Sequence, residues 1–320
     1  MDIIVKDLSV SFSLPGKKVK VLKHIDVRFP QGMITAVIGE SGSGKSVLGT
    51  SVVGLLEKNA EFCGEVFHGE RDLLKADEKE KNFARGRVIS WIAQNPPAAL
   101  SPLLRTGELL SEIFFYRGCK TPNAVKAACM SHLRKFGFED PERVYEKYPC
   151  ELSGGMAQRV LASMMTVEKP EWIIADEPTK GLDPLVRKEV AEMFLQMKSE
   201  QSTGIILITH DLRLAEKISD HTVVMYAGEI MESGLTREVF AAPRHPYTEA
   251  LLKAQPDRGM KPIKGGEYHI AGSGCAFGKR CDCYDGLHCA EQQVMCIKRE
   301  HFVKCWRETR SDDFDSEKSE

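Results

Sequence analysis

The chain has 320 residues with a formal net charge of −2, a length that allows two domains or one large α/β domain with an appendage. Its hydrophobic share of 42% suffices for a core of normal size, and it shows no basic excess of the kind that marks nucleic-acid binders. The first residues, Met1 to Leu8, lack the basic and apolar regions of a signal peptide, and no run approaches the ~18 apolar residues that cross a bilayer. Any service to a membrane is then that of a peripheral subunit.

Residues 1–38 read as strands, with apolar runs at Ile3–Val5, Val10–Phe12, Val19–Leu22, Ile25–Phe29 and Ile34–Ile38. Leu14-Pro15-Gly16 and Pro30-Gln31-Gly32 supply turns between them. A glycine-rich turn leads into a helix over 46–57 with Leu48, Val52 and Leu55 on one face. Pro96-Pro97 changes the pattern, and helical stretches near 106–117, 122–136 and 141–147 read as an insertion at about 97–152. The order strand, helix, strand returns at 172–175, 184–200 and 205–208, which implies a parallel sheet. Val223–Tyr226 and Glu229–Glu232 flank Ala227-Gly228 as a hairpin. Residues 241–310 lose this periodicity, and the acidic end, 311–320, reads as a disordered tail.

Gly39-Glu40-Ser41-Gly42-Ser43-Gly44-Lys45-Ser46 fits the phosphate-loop pattern G-x-x-x-x-G-K-S/T, between a predicted strand and a predicted helix. The glycines let the backbone wrap so that successive N–H groups face phosphate oxygens, and the helix N-terminus adds its dipole. Lys45 is placed to reach the β- and γ-phosphates, and the Ser46 hydroxyl to ligate Mg²⁺. The bland alternative is a strand-to-helix turn with no ligand; the strand–loop–helix context weighs against it.

The apolar run Trp172–Ala175 ends in Asp176-Glu177-Pro178. Alone this is weak, because strands often end in solvated acids. Beside a phosphate loop, Asp176 becomes a second group for Mg²⁺, and Glu177 the base that orients and deprotonates the attacking water. His210 closes another buried run, Ile205–Thr209, at the strand end where ligands gather in open α/β sheets, and reads as a γ-phosphate contact.

Leu152-Ser153-Gly154-Gly155-Met156-Ala157-Gln158-Arg159 resembles the signature of ABC ATPases and stands upstream of the acidic strand, as in that family. Ser153 and the Gly154 and Gly155 amides open a helix and can form a second anion cradle. Gln94, after Trp91-Ile-Ala, matches the family's glutamine loop, which contacts Mg²⁺ and water. Gly181-Leu182-Asp183 matches the loop that crosses to the opposite active site, although Lys180 departs from the usual pattern. Phe12 is read as the aromatic that stacks on adenine, with a buried strand aromatic as the alternative. The resemblance covers residues 1–240. It implies an α/β fold: a RecA-like P-loop NTPase core with an N-terminal antiparallel β-subdomain, the helical subdomain at about 97–152, and a Cys-rich C-terminal extension over 241–310. It also implies a head-to-tail dimer in which each ATP lies between one subunit's loop and the other's signature.

Pro243-Arg-His-Pro-Tyr247-Thr-Glu-Ala-Leu-Leu resembles the segment after the core in ATPase subunits of dipeptide, oligopeptide and nickel importers. Met156 and the Asn95-Pro96 and Leu100-Ser-Pro102 stretches resemble the same branch. The residues of the Pro243–Tyr247 segment themselves suggest only a structural cap. Six of the ten cysteines crowd the last fifty residues, and in a reducing compartment such a cluster favours metal over disulfides. The spacing Cys275-x5-Cys281-x7-Cys289-x15-Cys305 resembles the extension of those subunits, some of which hold a 4Fe–4S cluster. Cys283 and Cys296 are surplus, and Cys283 could replace Cys281. Zinc, or no metal, remains open.

The resemblance thus implies an ATP-binding and ATP-hydrolysing subunit, peripheral at the cytoplasmic face of the cell membrane. Its expected partners are a second, different ATPase subunit in a heterodimer, two transmembrane permease subunits and, indirectly, an extracytoplasmic solute-binding protein. Peptides or nickel and other metal chelates are the implied cargo, and no nucleic acid is involved. The alternative is a soluble, non-transport ABC ATPase whose tail senses metal or redox state.

Overall fold

A computed structural model of the chain describes residues 1–94, 96–119, 121–265, 274–290, 295–296 and 301–308. The tail expected at 311–320 lies outside the described residues. The chain forms two compact units, Met1–Ala76 with Leu207–Glu320, and Asp77–Ile206.

The first unit opens with β1 (Ile3–Leu14), β2 (Lys17–Phe29), β3 (Ile34–Ile38), α1 (Lys45–Val53), β4 (Ala60–His68) and β5 (Arg71–Asp72). Strands β2, β1, β4 and β5 lie in that order in an antiparallel sheet. Two apolar runs that the sequence separates belong to one strand, β1, because Asp7 adopts φ 45° and shifts the register between Val5 and Leu8. Burial therefore falls on Ile3 and Val5, then changes phase to Leu8 and Val10. His24, at φ 49°, makes the same break in β2, and its N–H donates to Ser9 Oγ at 3.0 Å.

The second unit carries α2 (Glu78–Ala84), β6 (Ile89–Ile92), α3 (Pro96–Ala99), α4 (Thr106–Tyr116), α5 (Pro122–Lys135), α6 (Pro141–Glu146), α7 (Gly154–Thr166), β7 (Trp172–Asp176) and α8 (Pro184–Gln201). Strand β8 (Gly204–Ile208) ends it and runs on into the first unit. β6 and β7 pair in parallel, and β8 is β7's other neighbour. The stretch read as a helical insertion holds α3 to α6 and a 3-10 turn at Pro149–Glu151. Proline at the first turn of α5 and α6, with Thr121 and Asp140 as side-chain caps, sets where those helices start.

The chain returns to the first unit with α9 (Leu212–Ile218), β9 (His221–Tyr226), β10 (Glu229–Leu235), α10 (Thr236–Ala241), α11 (Pro246–Lys253), β11 (Met295–Cys296) and β12 (Phe302–Val303). There the order is β11-β12-β10-β9-β3, with β3 and β9 parallel. Both β3 and β9 are buried along their whole length, as strands covered on two faces must be. Ala227 and Gly228, at φ 49° and 84°, make the β9–β10 hairpin turn.

Helix α1 departs from the expected range 46–57. Gly54, at φ 67°, ends it after Val53 and returns its N–H to Ser51 O and Thr50 O. Leu55 thus lies beyond the helix, 45% exposed, and not on the apolar face with Leu48 and Val52. From the C-terminal extension, Tyr247, Leu252, Ala276 and Phe277 pack in one core with Ala36 and Ile38 of β3 and with Val224 and Tyr226 of β9.

Candidate functional site

In the first unit, β3 delivers the chain to Gly39 and α1 receives it at Lys45. Gly39 has φ 149°, and a Cβ there would stand 2.1 Å from Met225 O, so only glycine lets the loop leave the sheet against β9. No side chain caps the first turn of α1, whose Gly44 N-cap is left-handed, and this leaves backbone N–H groups for an anion. Lys45 is buried, and its Nζ donates to Gly39 O and Glu40 O, both at 2.8 Å. Ser43 N–H donates to Glu40 O at 3.2 Å, while Ser46 is exposed. Strand β8 ends beside the loop's own strand, since Thr209 N–H donates to Val37 O at 3.1 Å. His210 follows directly and is exposed at that strand end. Phe12 is half-buried on β1, paired with Val19 and Ala60.

The loop also has holders that the motifs did not reveal. Glu40 N–H donates to Tyr247 Oη at 2.9 Å. The Glu40 carboxylate accepts two hydrogen bonds from Arg280, Nη1 to Oε2 at 2.9 Å and Nη2 to Oε1 at 3.0 Å. Tyr247 belongs to the Pro243–Tyr247 stretch for which the sequence offers only a capping role, and that role is present as well. Neutral His245 caps α11 by accepting Tyr247 N–H at Nδ1, 3.0 Å, and burial pushes its pKa down to about 4. Buried Glu232 accepts the Arg244 and His245 N–H groups, at 3.0 Å each, and His301 Nε2 lies 3.0 Å from its Oε1.

In the second unit, Asp176 ends the fully buried β7, and the residue is only 5% exposed. Glu177 follows at φ 49°, a left-handed conformation that is costly for a residue with a Cβ and that turns the chain sharply at the strand end. Gln94 is exposed just past β6. The signature stretch starts α7. Ser153 is its N-cap, with Oγ accepting Met156 N–H at 3.3 Å, and Leu152 precedes it. A Cβ on Gly155 would meet Val186 Cγ1 at 2.3 Å, so this glycine also lets α7 and α8 approach. Gln158 is buried at 2% exposure. Gly181 is left-handed at φ 74°, Leu182 N–H returns to Thr179 O, and Asp183 caps α8 by accepting Leu185 and Val186 N–H. Asp183 thus has a local structural task beside the crossing role expected of it.

Cys275, Cys281, Cys283, Cys289 and Cys305 line one small cavity of the first unit. Three of these sulfurs accept hydrogen bonds: Cys289 from Trp306 Nε1 at 3.1 Å and from the Asp285 N–H at 3.4 Å, Cys283 from Arg307 Nη1 at 3.3 Å, and Cys281 from the Cys283 N–H at 3.4 Å. Burial pushes the Cys275 and Cys281 thiols up to about 11, and raises Cys305, so a metal would have to displace their protons. Among the described residues no three Cys, His, Asp or Glu groups are disposed around a single ion. The donors gathered in the cavity are soft thiols, the ligand type that both zinc and Fe–S clusters take. Cys296 lies on β11.

A phosphate loop between strand and uncapped helix, set at the carboxyl edge of a parallel sheet, defines a nucleotide-binding cassette. Residues 22–180 match the family model of the ABC transporter, and residues 231–286 that of the oligopeptide/dipeptide transporter C-terminal region. An oligopeptide transport ATP-binding protein of Lactococcus lactis subsp. cremoris is 35% identical over 84% of this chain and 79% of its own length. A dipeptide transport ATP-binding protein of Haemophilus influenzae is 34% identical over 87% and 86%. The fold is shared with the ATP-binding cassette MJ0796, solved as a dimer bound to ADP and phosphate, at a TM-score of 0.66 and 24% identity, covering 73% of this chain and 99% of that one. The chain belongs to the family of oligopeptide/dipeptide ABC transporter ATP-binding proteins. It is an ABC ATPase, coupling ATP hydrolysis to transport. The described residues contain no helix long and apolar enough to cross a membrane.

Proposed function

We propose that this chain powers peptide uptake, binding ATP on its phosphate loop and working from the cytoplasmic face of the membrane. The observation that carries the reading is that Tyr247, from the oligopeptide/dipeptide C-terminal region, is built onto Glu40 of the loop. In this reading Gly39 to Ser46 cradle the phosphates, with Lys45 on the β- and γ-phosphates and Phe12 against adenine. Ser46, Asp176 and Gln94 hold Mg²⁺, which neutralises phosphate charge when bound. Glu177 orients and deprotonates water, and His210 contacts the γ-phosphate. Leu152, Ser153, Gly154, Gly155, Met156 and Gln158 serve the ATP held by a second ATPase subunit in a heterodimer, and Gly181 to Asp183 cross towards it. Helices α3 to α6 grip a cytoplasmic loop of a membrane subunit, one of two permease subunits in the assembly, and a solute-binding protein delivers the peptide. Cys275, Cys281, Cys289 and Cys305 hold a 4Fe–4S cluster, supported by their shared cavity and sulfur-directed donors.

The test is reconstitution with the copurifying membrane subunits and binding protein in proteoliposomes. Peptide should raise ATP hydrolysis and accumulate inside; stimulation by nickel chelates instead would replace the cargo. A chain that hydrolyses ATP fully as a soluble protein and brings down no membrane partner would support the non-transport alternative. For the cluster, anaerobically purified protein should be brown, with absorbance near ~400 nm. Colourless, iron-free protein would remove it.

A further inference from the structure

The Arg280–Glu40 pair joins residues 240 positions apart, one in the second position of the phosphate loop and one beside Cys281. The guanidinium is held on every side. Its Nε donates to Lys264 O at 2.6 Å, its Nη1 to Tyr226 Oη at 3.1 Å, and its plane lies over the Tyr226 and Phe277 rings at 5.6 and 5.9 Å. Its side chain is 9% exposed, against 22% for Glu40. A guanidinium fixed in this way loses little freedom on gripping a carboxylate at two points, a geometry that lysine cannot supply.

The grip matters because of where Glu40 stands. Its N–H, its C=O and its carboxylate are all engaged: by Tyr247, by Lys45 with Ser43, and by Arg280. The loop therefore keeps one conformation at Glu40 without help from a ligand, which lowers the ordering cost of binding. Arg280 also neutralises a carboxylate borne by the phosphate loop itself, whose charge would oppose that of a bound polyphosphate.

We propose that Arg280 is a positioning residue for the ATPase reaction: from the cysteine-rich segment it fixes and neutralises Glu40, and so sets the phosphate loop's affinity for ATP. The inference rests on the reading of Gly39–Ser46 as an ATP site. It acts on nucleotide binding and leaves the chemical step to other residues.

The experiment measures ATP KM and kcat for the purified transporter complex carrying Arg280→Met, Arg280→Lys, Glu40→Gln, and the Arg280→Met/Glu40→Gln pair. Arg280→Met keeps apolar bulk but strands the carboxylate, so KM should rise ~10-fold or more, the equivalent of losing a charge-assisted pair, with kcat within ~2-fold. Arg280→Lys restores charge without the fork and should fall between wild type and Arg280→Met. The second substitution, Glu40→Gln, should suppress much of the Arg280→Met defect, because the stranded charge is gone. A merely structural arginine gives no such suppression. Unchanged KM in Arg280→Met, a defect confined to kcat, or effects that simply add in the pair would overturn the proposal. If Arg280→Met fails to fold, Arg280→Lys decides alone, with a wild-type KM counting against it. Wild-type complex that binds no ATP would instead sink the reading of the loop.

Discussion

Replacing Glu232 with glutamine tests whether the segment after the core secures the phosphate loop. Glu232 is fully buried on β10 and accepts from three neighbours: the Arg244 N–H at 3.0 Å, the His245 N–H at 3.0 Å, and His301 Nε2 at 3.0 Å. Glutamine has the same shape, but one oxygen becomes an NH₂ that must face donors whichever way it turns. At least one hydrogen bond to a charged acceptor is lost, and the displaced donor stays buried. At ~1.5–3 kcal/mol per such bond, with the added cost of an unsatisfied donor, the total is ~3–5 kcal/mol. For a protein of this size each kcal/mol shifts the melting temperature by ~2–4 °C, so a fall of ~6–20 °C is expected. The assay is thermal unfolding followed by circular dichroism, with ATP affinity measured on the same samples. Affinity should fall as well, because Tyr247, which holds Glu40, follows the very turn that Glu232 pins. A Glu232→Gln protein melting within ~2 °C of wild type, with unchanged ATP affinity, would refute the reasoning.

Glu177→Gln should abolish turnover while ATP binding persists, since the substitution removes a base but no phosphate contact; full hydrolysis in a phosphate-release assay would remove Glu177 from that role. Gly155→Ala should cost ~1–3 kcal/mol by forcing α7 from Val186, seen as a lowered urea midpoint, and Gly155→Ala/Val186→Ala should recover most of it if the 2.3 Å approach is the cause. Burial holds the His132 pKa below its ordinary 6.5, aided by the Lys135 and Arg117 charges and opposed by the hydrogen bond to Ser163 O. The folded state therefore binds this proton less readily than the unfolded chain. The stability this contributes is complete above ~6.5 and is lost as pH falls from there through the folded value. His132→Gln should flatten the acid-side decline of the urea midpoint, and an unchanged pH slope would count against it.

Strands β3, β7 and β8 were legible because strands covered on both faces must be apolar throughout, and their ends carry the charged or glycine-rich stretches. The bulges at Asp7 and His24 hid β1 and β2 as single strands, since a phase change in alternation looks like an interruption. The end of α1 turned on one glycine, Gly54, within a pattern whose periodicity ran on to Leu55. Phosphate-loop chemistry is local and could be read from eight consecutive residues. Its supports are not. Tyr247 and Arg280 reach Glu40 across 207 and 240 residues, and nothing in either residue's neighbourhood points back to the loop. The Gly155 requirement was visible only as part of a motif, while its packing cause, Val186, lies on another helix.

Strand β12 has a consequence for where the protein can be cut. Phe302 and Val303 pair with Ser233 and Glu232, so the last described strands cover the outer border of β10. Lys304 adds a hydrogen bond from its N–H to Met231 O at 2.8 Å. A stop codon or protease nick before residue 295 would leave that border as a row of unmet donors and acceptors, a template on which other copies can add strands. Such fragments should collect in the pellet rather than behave as a minimal motor, and a soluble fragment ending near 240 would show the border to be harmless.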